Sequence, residues 1–280
     1  MVRSAIAAGF LASMIFALAG CTATRPDDVT GNIIDDARIE NLLLSAGDPG
    51  DAVRYFEKAL EQSPGRAEFR RGLALSFSRA GRHAEAAETY RELIARNQAT
   101  PEDRLDYAAV MARLGHWDEV NTVIAGLPEQ MATVRRRLIE AMAADHLGDW
   151  ERADAAYAAA EAEASAPARV LNNWGVSLMA RGDFALAEAT FTRALSHDPQ
   201  LFNAKNNLAM ARGLQGNFRP PSIPMSETER AYVLNNLGMI AMQKGQGDIA
   251  RGLLAAAIEA HPQHYTEAAS RLDALDRSES

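Results

Sequence analysis

Seven glycines recur at near-constant intervals: Gly47, Gly81, Gly115, Gly148, Gly182, Gly216 and Gly245 are separated by 34, 34, 33, 34, 34 and 29 residues. A period of this size requires a stack of like units, each burying its apolar face on the next. The apolar skeleton repeats in register. Five residues after the glycine stand Ala52, Ala86, Val120, Ala153, Ala187 and Ala250, and four further on Phe56, Tyr90, Ile124, Tyr157, Phe191 and Leu254. Two helices per unit account for the spacing. A glycine in the left-handed conformation closes the first helix, and the small residue beyond it lets the second helix approach its partner. Pro64, Pro199 and Pro262 end second helices, because proline lacks the N–H and fixes φ.

The departures from the period are as informative as the period. Pro128 ends the third unit's second helix early. The sixth unit has a first helix, predicted over Leu201 to Gln215, and then continues Gly216-Asn217-Phe218-Arg219-Pro220-Pro221-Ser222-Ile223-Pro224. Three prolines within five residues exclude a normal second helix. Ser226 followed by Glu229 is a capping-box signature, so a new helix is expected to start there. An extended, hinge-like connector from Phe218 to Met225 thus explains the shortened last interval. Tyr265 to Arg277 reads as a helix capping the open end of the stack.

These residues resemble the tetratricopeptide repeat. Its pattern is matched in large part by Trp174-Gly175 with Ala187, Phe191, Ala194 and Pro199, and by Leu237-Gly238 with Ala250, Leu254, Ala257 and Pro262. The resemblance implies an all-α, right-handed superhelical solenoid of helix-turn-helix units. The array is expected over residues 33–216, a Pro-rich connector over 217–227, a last repeat over 228–264 and the capping helix over 265–280.

The chain has a single cysteine, Cys21. Arg3 precedes an uncharged apolar run, AIAAGFLASMIFAL from Ala5 to Leu18, too short for a comfortable transmembrane helix and suited to a secretory signal. Leu18-Ala19-Gly20-Cys21 resembles the bacterial lipobox cut by lipoprotein signal peptidase. That resemblance implies a signal peptide over residues 1–20, a diacylglycerol thioether and an acylated amine on Cys21, and a polar tether over 21–32. Several acyl chains make such an anchor stable. Thr22, where such lipoproteins carry Asp for inner-membrane retention, implies the outer membrane, with the protein facing the periplasm.

Lys and Arg number 29 against 37 Asp and Glu, and this acidic balance gives no electrostatic footprint for nucleic acid. One cysteine forms neither an internal disulfide nor a cysteine-based metal site. Gly245-Gln246-Gly247 has no preceding strand to make it a phosphate loop, and Gly245 is already explained by the repeat. His261 and His264 have metal-like spacing, but Pro262 breaks the helix between them. Trp117, Trp150, Phe184 and Phe218 each follow a repeat glycine by two residues and read as packing residues. Arg135, Arg136 and Arg137 point three ways from a helix start. No catalytic residue, metal ligand or cofactor site is expected.

Chemistry is left to the face formed by first helices. Asn172-Asn173, Asn206-Asn207 and Asn235-Asn236 recur at equivalent places, with Met210 and Met239 one turn on and Met242 a further turn along. A carboxamide satisfies both the N–H and the C=O of an extended peptide, and thioethers accept varied apolar groups. These residues are expected to line a groove that holds a partner, with Asn172, Asn206 and Asn235 in one exposed row. The first half of the face offers Arg71, Arg79 and Arg113 as a secondary basic surface. It lacks the paired Lys/Asn arrangement of chaperone-tail receptors.

The array style, the lipobox and the segments LNNWGVSLMARGDFALAE from Leu171, KNNLAMARGLQG from Lys205 and NNLGMIAMQKG from Asn235 resemble the Flp/Tad (tight adherence) pilus assembly lipoproteins. The resemblance implies a non-enzymatic scaffold. Its expected partners are the pilus secretin or other pilus assembly components, with the lipid anchor on the membrane. A periplasmic adaptor presenting proteins to an envelope protease or peptidoglycan enzyme is the alternative.

Overall fold

The computed structural model describes residues 42–263 and 265–278. Cys21, the apolar leader, the tether and His264 lie outside the described residues. Every regular element among the described residues is helical. Contacts divide the chain into two compact units, whose described parts are residues 42–159 and 160–278.

In the unit ending at residue 159 the helices run α1 (Pro49–Gln62), α2 (Ala67–Arg79), α3 (His83–Ala95), α4 (Pro101–Leu114), α5 (Trp117–Ala125), α6 (Val134–Leu147) and the body of α7 (Trp150–Glu163). Even-numbered helices are the first helix of a repeat and odd-numbered ones the second. The turn from α2 to α3 shows how a repeat closes. Gly81 sits at φ 74°, and a Schellman pair forms from Arg82 N–H to the Phe77 carbonyl (2.9 Å) and from Gly81 N–H to that of Ser78 (3.2 Å). Gly115, Gly148, Gly182, Gly216 and Gly245 share the left-handed conformation, with φ between 70° and 92°. Gly47 does not; Asp48 caps α1 directly, its carboxylate accepting from Gly50 N–H at 2.8 Å and Asp51 N–H at 3.0 Å.

Packing follows the small-residue pattern. Ala52, Ala86, Val120 and Ala153 are fully buried, with Phe56, Tyr90, Ile124 and Tyr157 beside them in the core. A Cβ on Gly72 would lie 2.4 Å from the Phe56 ring, so α2 meets α1 at a distance that only glycine permits. Pro128 acts as expected. α5 has only nine residues, and the chain turns through a 3₁₀ segment, Glu129–Met131, before Thr133 caps α6.

In the unit from residue 160 the helices are α8 (Ala168–Ala180), α9 (Phe184–His197), α10 (Phe202–Leu214), α11 (Glu227–Gln243), α12 (Gly247–Ala260) and α13 (Thr266–Ser278). Here α8 with α9, and α11 with α12, form repeats, and α10 has no second helix. Residues 217–226 are non-helical. Phe218 and Met225 instead pack over Ala209, Val233 and Leu237, apolar cover that a second helix would otherwise supply. Pro221 is buried as well. The capping box at α11 is formed in both directions: Glu229 N–H to Ser226 Oγ at 3.1 Å, and Ser226 N–H to Glu229 Oε2 at 2.9 Å.

Candidate functional site

The first helices of the second unit carry the asparagine pairs, and the structure places their members unequally. Asn172, Asn207 and Asn235 are buried, whereas Asn173, Asn206 and Asn236 are half-buried. The single exposed row expected of Asn172, Asn206 and Asn235 is therefore corrected. The reason is a ladder of bonds between successive first helices. Asn207 Nδ2 donates to Asn172 Oδ1 at 3.0 Å, and Asn236 Nδ2 to Asn206 Oδ1 at 2.8 Å. In the capping helix, Arg271 Nη1 donates to Asn235 Oδ1 at 2.8 Å. The first asparagine of each pair is thus an acceptor for the next helix in the stack, since a buried carboxamide has to be paired where water cannot reach it.

The methionines divide in the same way. Met210 is buried in a core cluster with Leu178, Phe191 and Ile240, and its sulfur accepts from Asn206 Nδ2 at 3.3 Å. Met242 is half-buried against the cores around Leu254 and Ala250. Met239 is half-buried on α11. Of the residues expected to line a groove, Asn173, Asn206, Asn236 and Met239 keep part of their surface exposed on the first helices, while Asn172, Asn207, Asn235 and Met210 are structural.

The arginines of the first unit are likewise occupied. Arg71 Nε donates to both carboxylate oxygens of Asp103, at 2.7 and 2.9 Å, and this bond raises the guanidinium pKa further. Asp103 is buried and also closes the capping box of α4, accepting from Thr100 N–H at 2.8 Å. Arg79 donates to the carbonyls of Leu43 (2.7 Å) and Gly47 (2.9 Å), satisfying a helix end. Burial, and then the charge of Arg135, lower the pKa of Arg113. Arg71 and Arg79 join neighbouring elements instead of forming an open basic surface.

Arg135 turns away from its neighbours, but Arg136 and Arg137 share the Glu140 carboxylate, so the three arginines point two ways rather than three. Arg135 pairs with Asp106, Arg136 bonds Glu140 at 2.8 Å and the Pro128 carbonyl at 2.6 Å, and Arg137 reaches Glu140 at 3.4 Å. The carboxyl of Asp106 is nevertheless pushed above the usual aspartate range, because burial outweighs the pull of Arg135. Trp117 packs partly into the core, but Trp150 is 39% exposed, against the expectation of a packing residue.

Lys205 was not singled out by sequence reasoning. It is 1% exposed and stands where the flanking repeats have Leu171 and Leu234. Its Nζ reaches Glu229 Oε2 at 3.2 Å, so the carboxylate that caps α11 also neutralises a cation buried in α10. The signal was present as a lysine interrupting an apolar column.

The arrangement is that of the tetratricopeptide-repeat fold, and two stretches of the chain, residues 41–103 and 168–201, match models of the tetratricopeptide repeat. Among solved structures, the chain is similar to a tetratricopeptide repeat protein from Parabacteroides merdae, with 14% identity, 85% of this chain and 96% of that one covered, and a TM-score of 0.59. It is also similar to a chain of the APC/C hetero-tetramer Cut9-Hcn1, with 15% identity and a TM-score of 0.58 over 84% of this chain but only 48% of that one. The C-terminal part of a repeat protein from Cytophaga hutchinsonii aligns with 10% identity and a TM-score of 0.52, over 83% and 98% of the two chains. At these identities the likeness is one of fold. No curated protein matches the sequence.

Proposed function

We propose that the chain is a non-enzymatic scaffold that binds protein partners, is anchored in the outer membrane through lipidated Cys21, and serves the assembly or secretion of Flp/Tad pili. The observation that carries the scaffold reading is the repeat array itself. Asparagine and arginine side chains lock neighbouring helices together, and the first helices still present Asn173, Asn206, Asn236 and Met239 on their half-exposed side. Such groups hold an extended segment by its backbone and adapt to its side chains. The lipobox-like Leu18-Ala19-Gly20-Cys21 and the resemblance of the late repeats support the envelope and pilus part of the reading.

The test is co-purification from piliated cells. The pilus secretin or another pilus assembly component should be retained by the wild-type protein and lost with Asn173→Ala/Asn236→Ala/Met239→Ala. Cys21→Ser should leave the protein unprocessed or release it from the outer-membrane fraction. Recovery of an envelope protease or peptidoglycan enzyme in place of pilus components would overturn the pilus assignment, and a mature N-terminus other than a modified Cys21 would overturn the anchor.

A further inference from the structure

The turn edge of the first unit exposes part of several large apolar side chains. Leu114 (36% exposed) and Leu147 (56%) each immediately precede a repeat glycine, and Trp150 (39%) follows Gly148 by two residues. They are joined by direct neighbours. The Trp117 indole stacks on the His146 ring with centroids 5.1 Å apart and planes 22° apart. A cavity of about 370 Å³ opens there, lined by Leu114, His116, Trp117, Asp118, Glu119 and His146. Exposed apolar side chains gathered at one place mark a surface that another molecule covers.

The rim specifies the charge of that molecule. Asp118, on the lining, and Glu151, next to Trp150 in the chain, are exposed carboxylates with no ion-pair partner among the described residues. Asp149 accepts only from the backbone N–H of Arg152, at 3.2 Å, and the Arg152 guanidinium is turned to Asn121 Oδ1 at 3.3 Å. Glu119 is held by Arg91 and Tyr107. The hollow is shallow and open to solvent, a place for a side chain to lie along rather than an enclosed ligand site. Aromatic walls with a free carboxylate at the mouth suit the apolar stem and cationic head of Lys or Arg.

We infer that this turn edge docks a basic amphipathic segment of a protein partner, whose apolar side covers Leu114, Leu147 and Trp150 while a Lys or Arg side chain enters the cavity beside Trp117 and His146. The surface is distinct from the first-helix face proposed above, so either can fail without the other.

The experiment titrates the full chain with a synthetic amphipathic peptide of leucine and lysine about 18 residues long, five turns of helix. Leu147→Ser/Trp150→Ser should weaken binding by about tenfold or more. Asp118→Asn/Glu151→Gln should weaken it by about threefold and flatten its salt dependence. The Asn173→Ala/Asn236→Ala/Met239→Ala protein should bind the peptide as the wild type does. All substituted positions are exposed or half-buried, and matching circular dichroism confirms that the fold is kept. Unchanged affinity in both edge variants overturns the inference, as does equal binding of a leucine–glutamate peptide of the same pattern. So does an edge variant that keeps the peptide but loses phosphatidylcholine vesicles, which would make the edge a lipid contact.

Discussion

A buried carboxamide brings two donors and an acceptor oxygen into a place without water, and each has to be met there or its desolvation is uncompensated. The Asn207 to Asn172 bond is such a case, with both residues buried on neighbouring first helices. Asn207→Ala should therefore cost about 1–3 kcal/mol, because it leaves the Asn172 oxygen without its donor. Urea denaturation checks this, and Asn172→Leu/Asn207→Leu should recover part of the loss by removing both polar groups. A single variant as stable as wild type would show that the bond is incidental. Asp106 offers a second test, through pH. Its folded pKa lies above the ordinary aspartate value of 3.8, by burial first and with Arg135 opposing. The folded state thus holds this proton more tightly than the unfolded state, so the group's contribution to stability is full below 3.8 and is lost as pH rises through the folded value. Relative to wild type, Asp106→Asn should gain stability as pH is raised from 3.8 to neutrality, as read from thermal melts. Arg135 is about half exposed and tolerates the loss of its partner. A pH-independent difference between the two proteins would remove burial as the cause.

At the scale of the element, the sixth repeat shows what happens when one helix of a pair is replaced by ten non-helical residues, 217–226. The prolines and the Ser226/Glu229 pair made this connector and its end legible in the sequence, because proline chemistry and helix capping are local. Its anchoring was not legible: Phe218 and Met225 find their cover on α10, α11 and α12, and that requires tertiary neighbours. The same holds for the asparagines. Asn172, Asn206 and Asn235 are equivalent in sequence, yet Asn206 stays half-buried while the other two are buried, since α10 meets α11 without an intervening second helix of its own repeat. Lys205 belongs to this junction. Removing Glu229 would leave its ammonium buried and unpaired, so Glu229→Ala should destabilise by about 3–5 kcal/mol, part of it from the lost cap. Lys205→Leu, which restores the residue type of the flanking repeats and leaves the Glu229 carboxylate partly exposed at its cap, should cost less than Glu229→Ala. In Lys205→Leu/Glu229→Ala the cost should fall to that of the cap alone, and a double-mutant cycle measures the coupling. If Glu229→Ala costs no less in the Lys205→Leu background, the ion pair does not hold the junction.

Over the whole molecule, a repeat array has no central core from which stability radiates, because each unit contacts only its neighbours. The period of glycines announced this organisation, since the left-handed turn is a requirement of single residues that recurs with the fold. The division of contacts into residues 42–159 and 160–278 was not announced by any change in composition or period. It has a consequence for how the chain opens. Phe191 is fully buried in the second unit, and its ring lies where a Cβ on Gly175 would come within 2.5 Å, so α8 and α9 are in intimate contact through it. Phe191→Ala removes a large side chain from a site closely matched to it and should cost about 3–5 kcal/mol of local stability. Because stability in such arrays is transmitted from neighbour to neighbour, the loss should be graded with distance along the chain. Hydrogen exchange followed by mass spectrometry should show α8, α9 and α10 exchanging faster, while α2, α3 and α4 keep wild-type protection. Gly72→Ala, which drives a Cβ to 2.4 Å from the Phe56 ring, should produce the reverse pattern, with faster exchange in α1 and α2 and unchanged exchange in α11 and α12. Uniform loss of protection from either variant would mean that the chain unfolds as one cooperative body and that the two compact units do not fold separately.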